Sequence, residues 1–128
     1  MTTQITEGIK ISVECVFQPE YSNPERDHFM FAYLISIENL SDSSIQLMSR
    51  YWNIFDSIGD HNEVYGDGVV GEQPIIEPGQ MHQYTSGCNL KSEMGYMEGY
   101  FNMIKLIDDS SFKVDIPRFN LIANYVLN

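Results

Sequence analysis

The stretch Ile9-Lys10-Ile11-Ser12-Val13-Glu14-Cys15-Val16-Phe17 decides the fold. Ile9, Ile11, Val13, Cys15 and Phe17 fall on one side of an extended chain, and Lys10, Ser12 and Glu14 on the other. Alternation with period two is the mark of a strand with one buried and one wet face. Downstream, residues 21–27 hold Asn23, Pro24, Glu25 and Asp27, the composition of a solvated loop. Residues 28–38 then alternate again, with Phe29, Phe31, Tyr33, Ile35 and Ile37 on one face. Met30, Ala32 and Leu34 on the opposite face suggest a central strand covered on both sides for half its length.

Residues 39–44 (NLSDSS) read as a turn, so the following strand, 45–55, returns antiparallel. Its parity changes along its length: Ile45 and Leu47 are odd, Trp52 and Ile54 even. A β-bulge near residues 49–51 supplies such a switch. The alternative is a strand partly covered on both faces with no shift. A turn at 57–62, a short strand at 63–65, the glycine-rich GDGVVGEQP (66–74), a turn at Pro78-Gly79 and a strand at 80–86 follow. The long strand 96–106 and the turn at 108–110 lead to a last strand through Phe112, Val114 and Ile116. Pro117 cannot donate to a ladder, so that segment is expected at an edge or at a change of sheet.

No window carries a helical stripe. Seven or eight short strands in 128 residues predict an all-β fold: a two-sheet antiparallel sandwich of immunoglobulin-like or fibronectin type III-like kind, with little or no helix. One domain spanning 1–128 is expected, without repeat or linker.

Hydrophobic residues make up 43% and charged residues 20%, a globular balance. Seven Lys and Arg stand against 18 Asp and Glu, a formal charge of −11. That field repels a nucleic-acid duplex or a phospholipid surface, and the basic residues are scattered singly. No run of about 18 apolar residues is present to span a membrane. The first eight residues lack a basic patch and an apolar stretch, so the expected location is cytoplasmic. Cys15 and Cys88 are expected as free thiols there.

Four constellations could carry chemistry. GDGVVG fits G-x-G-x-x-G, but a dinucleotide cradle needs a helix next, and Pro74 and Pro78 follow instead. Asp67 and Glu72 also bring negative charge where a phosphate would sit. A tight turn with glycines at positive φ is the expected structure, and an anion-binding nest the alternative. Asp60, His61 and Glu63 are weak candidates for a divalent cation, without a paired-Cys or paired-His spacing to support a metal site. The hydroxyls and thiol of residues 85–88 (TSGC) read as strand-end turn chemistry, since no nucleophile-elbow pattern surrounds them. Arg50, Tyr51 and Trp52 combine a cation with aromatics, the mixture found at binding hot spots. A bulge would re-aim Arg50 and Tyr51 to the surface; a buried core role is the alternative, above all for Trp52.

Several stretches together resemble the ApaG family, also called the DUF525 domain. They are SRYW (49–52), GVVGEQPIIEPG (68–79), YTSGCNL (84–90), GYMEGYFNM (95–103), IPRFNL (116–121) and the terminal LN (127–128). They occur in order and cover the chain nearly end to end. The resemblance implies a fibronectin type III-like sandwich in a bacterial cytoplasmic protein. It further implies a gene that often neighbours one for a diadenosine tetraphosphate hydrolase. It carries a loose link to cobalt resistance and magnesium efflux, with no assigned activity or catalytic residues. Related modules within eukaryotic F-box proteins and DNA-polymerase-delta-interacting proteins suggest protein contacts. Many relatives carry His at the position of Tyr51, and Arg or Lys at that of Tyr65, so a phosphate-binding cation is missing here.

The expected function is therefore a non-enzymatic protein-interaction domain without cofactor. Its partner surface would comprise Arg50, Tyr51, Trp52, Gly66, Gly68, Gly71, Gln73 and Pro74. The alternative is a sensor of a phosphorylated nucleotide or divalent cation at the glycine-rich loop.

Overall fold

A computed structural model describes residues 1–123, which build nine strands and two single 3₁₀ turns (Pro19–Tyr21 and Pro24–Arg26). The strands are β1 (Thr2–Thr6), β2 (Ile9–Phe17), β3 (Phe29–Asn39), β4 (Ile45–Asp56), β5 (Asp60–Asp67), β6 (Ile75–Ile76), β7 (Met81–Leu90), β8 (Met94–Lys105) and β9 (Ser111–Ile122). All pairings are antiparallel. One sheet has four strands in the order β1-β2-β3-β7; the other has five, β5-β4-β8-β9 with β6 also on β4. The expected two-sheet sandwich is the observed one. The terminal LN at 127–128 lies outside the described residues.

The core follows from the alternation. Ile9, Ile11, Phe31, Ile35 and Ile37 of the four-stranded sheet meet Leu47, Phe101, Met103, Val114 and Leu121 of the five-stranded one, all fully buried. Each such side chain contributes about 1.5–3 kcal/mol relative to exposure. On the outer face of β3, Met30, Ala32 and Leu34 are half-buried, as a central strand requires.

The parity switch in β4 is a real bulge, lying at Met48 between Leu47 and Ser49 against β8. Leu47 and Trp52 both face the core because of it. A second irregularity lies at the proline: Met97 pairs with Phe119 but Gly99 with Ile116, so β9 carries an extra residue around Pro117. β9 is an edge strand of the five-stranded sheet, which is where a residue without an amide hydrogen is tolerated.

Three expectations are corrected. The strand count is nine rather than seven or eight, because β1 carries almost no apolar signal and β6, though both its residues are isoleucine, is too short to show alternation. β1 (TTQIT) is an edge strand whose Ile5 is exposed, and β6 is two residues held between prolines. β5 begins at Asp60, so Asp60 and His61 lie on the same strand as Glu63 rather than in a turn before it. β7 continues to Leu90, so Thr85, Ser86, Gly87 and Cys88 are strand residues, not strand-end turn residues.

The two long sides of the sandwich differ. On one, β1 and β9 pack together, and the amide of Asp115 donates to Thr6 Oγ1 at 3.3 Å. On the other, β7 and β5 are the free edges of their sheets.

Candidate functional site

The glycine-rich loop is an excursion from the edge of the five-stranded sheet. β5 covers β4 from Ser49 to Asp56, and β6 covers Ile45 and Gln46. The bulge at Met48 falls in the gap, and residues 67–74 cross it. Met48 O accepts from the Gly68 amide at 2.8 Å and from Gln73 Nε2 at 2.9 Å. The Leu47 amide donates to Pro74 O, and Gln46 Nε2 to Gln73 O. At the tip, reciprocal bonds between Val69 and Glu72 close a two-residue hairpin with Val70 and Gly71 at φ +47° and +78°.

Two glycines have specific reasons. A Cβ on Gly68 would lie 2.0 Å from Glu72 O, and its φ is +60°. Gly66 is not at positive φ; the Arg50 guanidinium lies across it, 2.7 Å from where a Cβ would be. Arg50 Nη1 donates from there to Asp67 O at 3.1 Å and Gly68 O at 2.9 Å.

The residues singled out in the sequence therefore divide. Arg50, Gly66, Gly68, Gln73 and Pro74 come together as the loop and its anchors, with Gly71 at the exposed tip. Trp52 is core, 3% exposed, edge-on to Tyr33 and Phe119. Arg50 and Tyr51 point to opposite faces. Arg50 sits half-buried between the sheets with Trp52, and only Tyr51 is on the outer face. No helix follows the loop, and the amides of Gly68, Val69 and Glu72 are spent within the protein. Asp60 alternates with His61 and Glu63 along β5, so the three do not converge. Among the described residues no group of three potential metal ligands forms.

On the open side of the sandwich a groove runs between the sheets. One section, about 210 Å³, is lined by Tyr33, Arg50, Trp52, Val69, Val70, Tyr84, Thr85 and Ser86. The adjoining section, about 310 Å³, extends past Val64 to Cys88 and Met97. The Tyr84 hydroxyl is buried and has no hydrogen-bond partner among the described residues. Burial pushes its phenol far above the usual range, opposed only weakly by Arg50. Burial likewise raises Tyr33, with the Ser86 hydroxyl pulling the other way. The thiols of Cys15 and Cys88 are raised by burial to about 11 and about 12, so both stay protonated and unreactive near neutrality.

The outer face of the five-stranded sheet carries a feature that sequence reading missed. Tyr51 is flanked by Tyr65 and Tyr100, with ring centroids 4.8 and 5.0 Å away. Phe55 is flanked by His61 and Tyr96 at 4.9 and 5.0 Å. Lys113 Nζ lies 4.4 Å from the Tyr100 ring centre, and Arg118 Cζ 4.0 Å from that of Tyr96. Arg118 also grips Glu98 through Nε and Nη2, at 2.9 and 3.1 Å. Desolvation and the Glu63 carboxylate raise the phenols of Tyr51 and Tyr65. Beside Tyr51, toward β9 and β1, lies a depression of about 390 Å³ lined by Gln4, Asn53, Glu98, Asp115 and Arg118. A signal existed in the sequence: 51 and 55, 61 and 65, 96 and 100 are ring pairs four residues apart on what become three neighbouring strands.

Taken together, these features define a fibronectin type III-like sandwich module in which a glycine loop is stitched to a strand bulge. The family model described as the ApaG domain, DUF525, matches residues 19–105. Protein ApaG of Anaeromyxobacter dehalogenans (strain 2CP-C) is 43% identical over 128 residues, covering all of both chains. Protein ApaG of Acidithiobacillus ferrooxidans is 45% identical with the same coverage. The structure of the putative ApaA protein from Bordetella pertussis superposes with a TM-score of 0.86 at 37% identity, covering 89% of this chain and 92% of that one. The chain belongs to the ApaG family. Among the described residues no helix is long and apolar enough to cross a membrane.

Proposed function

We propose that the chain is a non-enzymatic protein-interaction module that docks a basic protein surface on the outer face of its five-stranded sheet. The paired aromatic rows carry this reading. A strand face meant only for water does not need Tyr51, Phe55, Tyr65, Tyr96 and Tyr100 in two aligned rows, with Tyr65 68% exposed. Stacked rings are rigid contact area, with little conformational entropy left to lose when a partner arrives.

Charge supports the choice of partner. The chain carries −11 overall, and Glu63, Glu98 and Asp115 line or border the rows. A lysine or arginine from the partner would find ring faces and carboxylates together, the arrangement in which cation–π contact and ion pairing reinforce each other. Arg118 already uses Tyr96 and Glu98 in this way, and Lys113 lies over the Tyr100 ring.

The test is site-specific photo-crosslinking in the native host, with the crosslinker at position 65 or, as control, at position 107 in the exposed β8–β9 turn. The expected product is a basic protein captured at 65 and not at 107. Its yield should fall with salt and disappear in Tyr51→Ser. Equal capture at both positions, or capture insensitive to Tyr51→Ser, rejects this face as the docking surface.

A further inference from the structure

We propose that the groove section between Arg50 and Tyr84 is a binding site for a small monocarboxylic acid with an apolar body. This site is on the inner side of β4, so the inference is independent of the outer-face reading.

The polar groups around this section are unusually one-sided. Arg50 is half-buried in a chain with 18 acidic residues, yet the salt bridge formed among the described residues is Arg118 with Glu98, and Arg50 takes no carboxylate. Its Nη1 is committed to the carbonyls of Asp67 and Gly68, which fixes the guanidinium plane and leaves Nη2 and Nε to donate. The Tyr84 hydroxyl, on a residue only 9% exposed, has no partner among the described residues. A buried hydroxyl without a partner is a standing penalty unless something arrives to accept its proton. Burial keeps that proton in place, so Tyr84 is a donor at neutral pH. Thr85 and Ser86 add hydroxyls, and no acidic side chain among the described residues lines this section; Glu72 lines the neighbouring depression on the far side of Val70 and Tyr84.

A site of donors around one fixed cation wants one anionic acceptor. A guanidinium with two free N–H groups matches the two oxygens of a carboxylate. A phosphate dianion fits less well. It would bring a second negative charge with no second cation in the lining, inside the field of a −11 protein.

The apolar body follows from the walls. Tyr33, Trp52, Val69 and Val70 surround the donors in about 210 Å³, room for one ring or a short chain. Val70 adds an independent sign. It is β-branched, 64% exposed and held at φ +47°, a conformation that costs such a residue about 1–2 kcal/mol. The Val69–Glu72 hairpin bonds keep it there, placing its methyl groups in the lining of the groove.

The experiment is an NMR titration of the labelled protein with sodium benzoate, run beside benzyl alcohol and inorganic phosphate. Benzoate is expected to move the Arg50 Nε–H signal and the amides of Val70 and Ser86 along one saturating curve. Benzyl alcohol should saturate at far higher concentration, because it cannot receive the guanidinium fork. Tyr84→Phe, which keeps the ring and removes the donor, should weaken benzoate about tenfold or more. Unmoved Val70 and Ser86 amides at every soluble benzoate concentration overturn the proposal. So does saturation by phosphate ahead of benzoate, or equal benzoate affinity in Tyr84→Phe.

Discussion

Replacing Tyr84 by phenylalanine should make the ligand-free protein more stable, the opposite of what removing a buried tyrosine hydroxyl ordinarily does. The hydroxyl is buried and unpartnered among the described residues, so folding strips its water and returns no hydrogen bond from them. That desolvation is worth about 1–3 kcal/mol against the native state. Removing one oxygen leaves a gap of roughly 10–15 Å³, which at about 24 cal/mol per Å³ gives back about 0.3 kcal/mol. The net gain is then about 0.7–2.7 kcal/mol. For 128 residues at about 2.1 cal/mol/K each, the unfolding entropy near the midpoint is about 0.27 kcal/mol/K, so Tm should rise by about 3–10 °C. Tyr33→Phe is the matched control, because the Ser86 hydroxyl acts on the Tyr33 phenol and opposes its upward shift. That substitution should lower stability by about 1 kcal/mol. Urea unfolding with an unchanged slope, together with calorimetry, measures both. If Tyr84→Phe lowers Tm as Tyr33→Phe does, the hydroxyl is satisfied in solution and the unpartnered donor is not a property of the protein.

Glycine substitutions in the loop should separate backbone strain from collision. Gly71→Ala meets only its φ of +78° in open space and should cost about 1–2 kcal/mol in urea unfolding, whereas Gly68→Ala also meets Glu72 O and should cost clearly more; equal losses would contradict the stitched loop. Asp56 is 4% exposed, and its carboxylate accepts from the Lys91 amide at 2.6 Å and Ser92 Oγ at 2.5 Å. Asp56→Ala should destabilise by about 2–4 kcal/mol, and a loss under about 1 kcal/mol would show that its carboxylate does not hold the β7–β8 turn to the end of β4. Burial raises Cys15 and Cys88 from 9.0 to about 11 and about 12, so above pH 9 the unfolded chain gives up thiol protons that the folded one keeps. Stability present below pH 9 should therefore be lost as pH climbs toward 12, and Cys88→Ala should make that decline shallower. An unchanged alkaline slope in Cys88→Ala would show that the thiol is not shielded.

The strands that alternate cleanly were legible without coordinates. Ile9, Ile11 and Val13, and Phe29 through Ile37, had only one way to bury their apolar side, and two such sheets must stack. The parity break between Leu47 and Trp52 located the bulge within a residue or two, because a strand cannot otherwise send odd and even positions to one core. β1 was illegible for the converse reason: TTQIT is held at a sheet edge by backbone hydrogen bonds, which leave no mark on the pattern of side chains.

The site was only half legible. Gly66, Gly68, Gln73 and Arg50 were picked out, but as a surface; only the register of β4 against β5 and β6 shows them holding a loop against Met48 O. The aromatic rows needed three strands brought side by side, with Tyr51 opposite both Tyr65 and Tyr100, and pairing between distant segments is a property of the sheet rather than of any window. The unpartnered Tyr84 hydroxyl is the extreme case. Alternation determines that Tyr84 faces inward, but whether its proton finds an acceptor depends on what both sheets place there, and that is decided only when they close on each other.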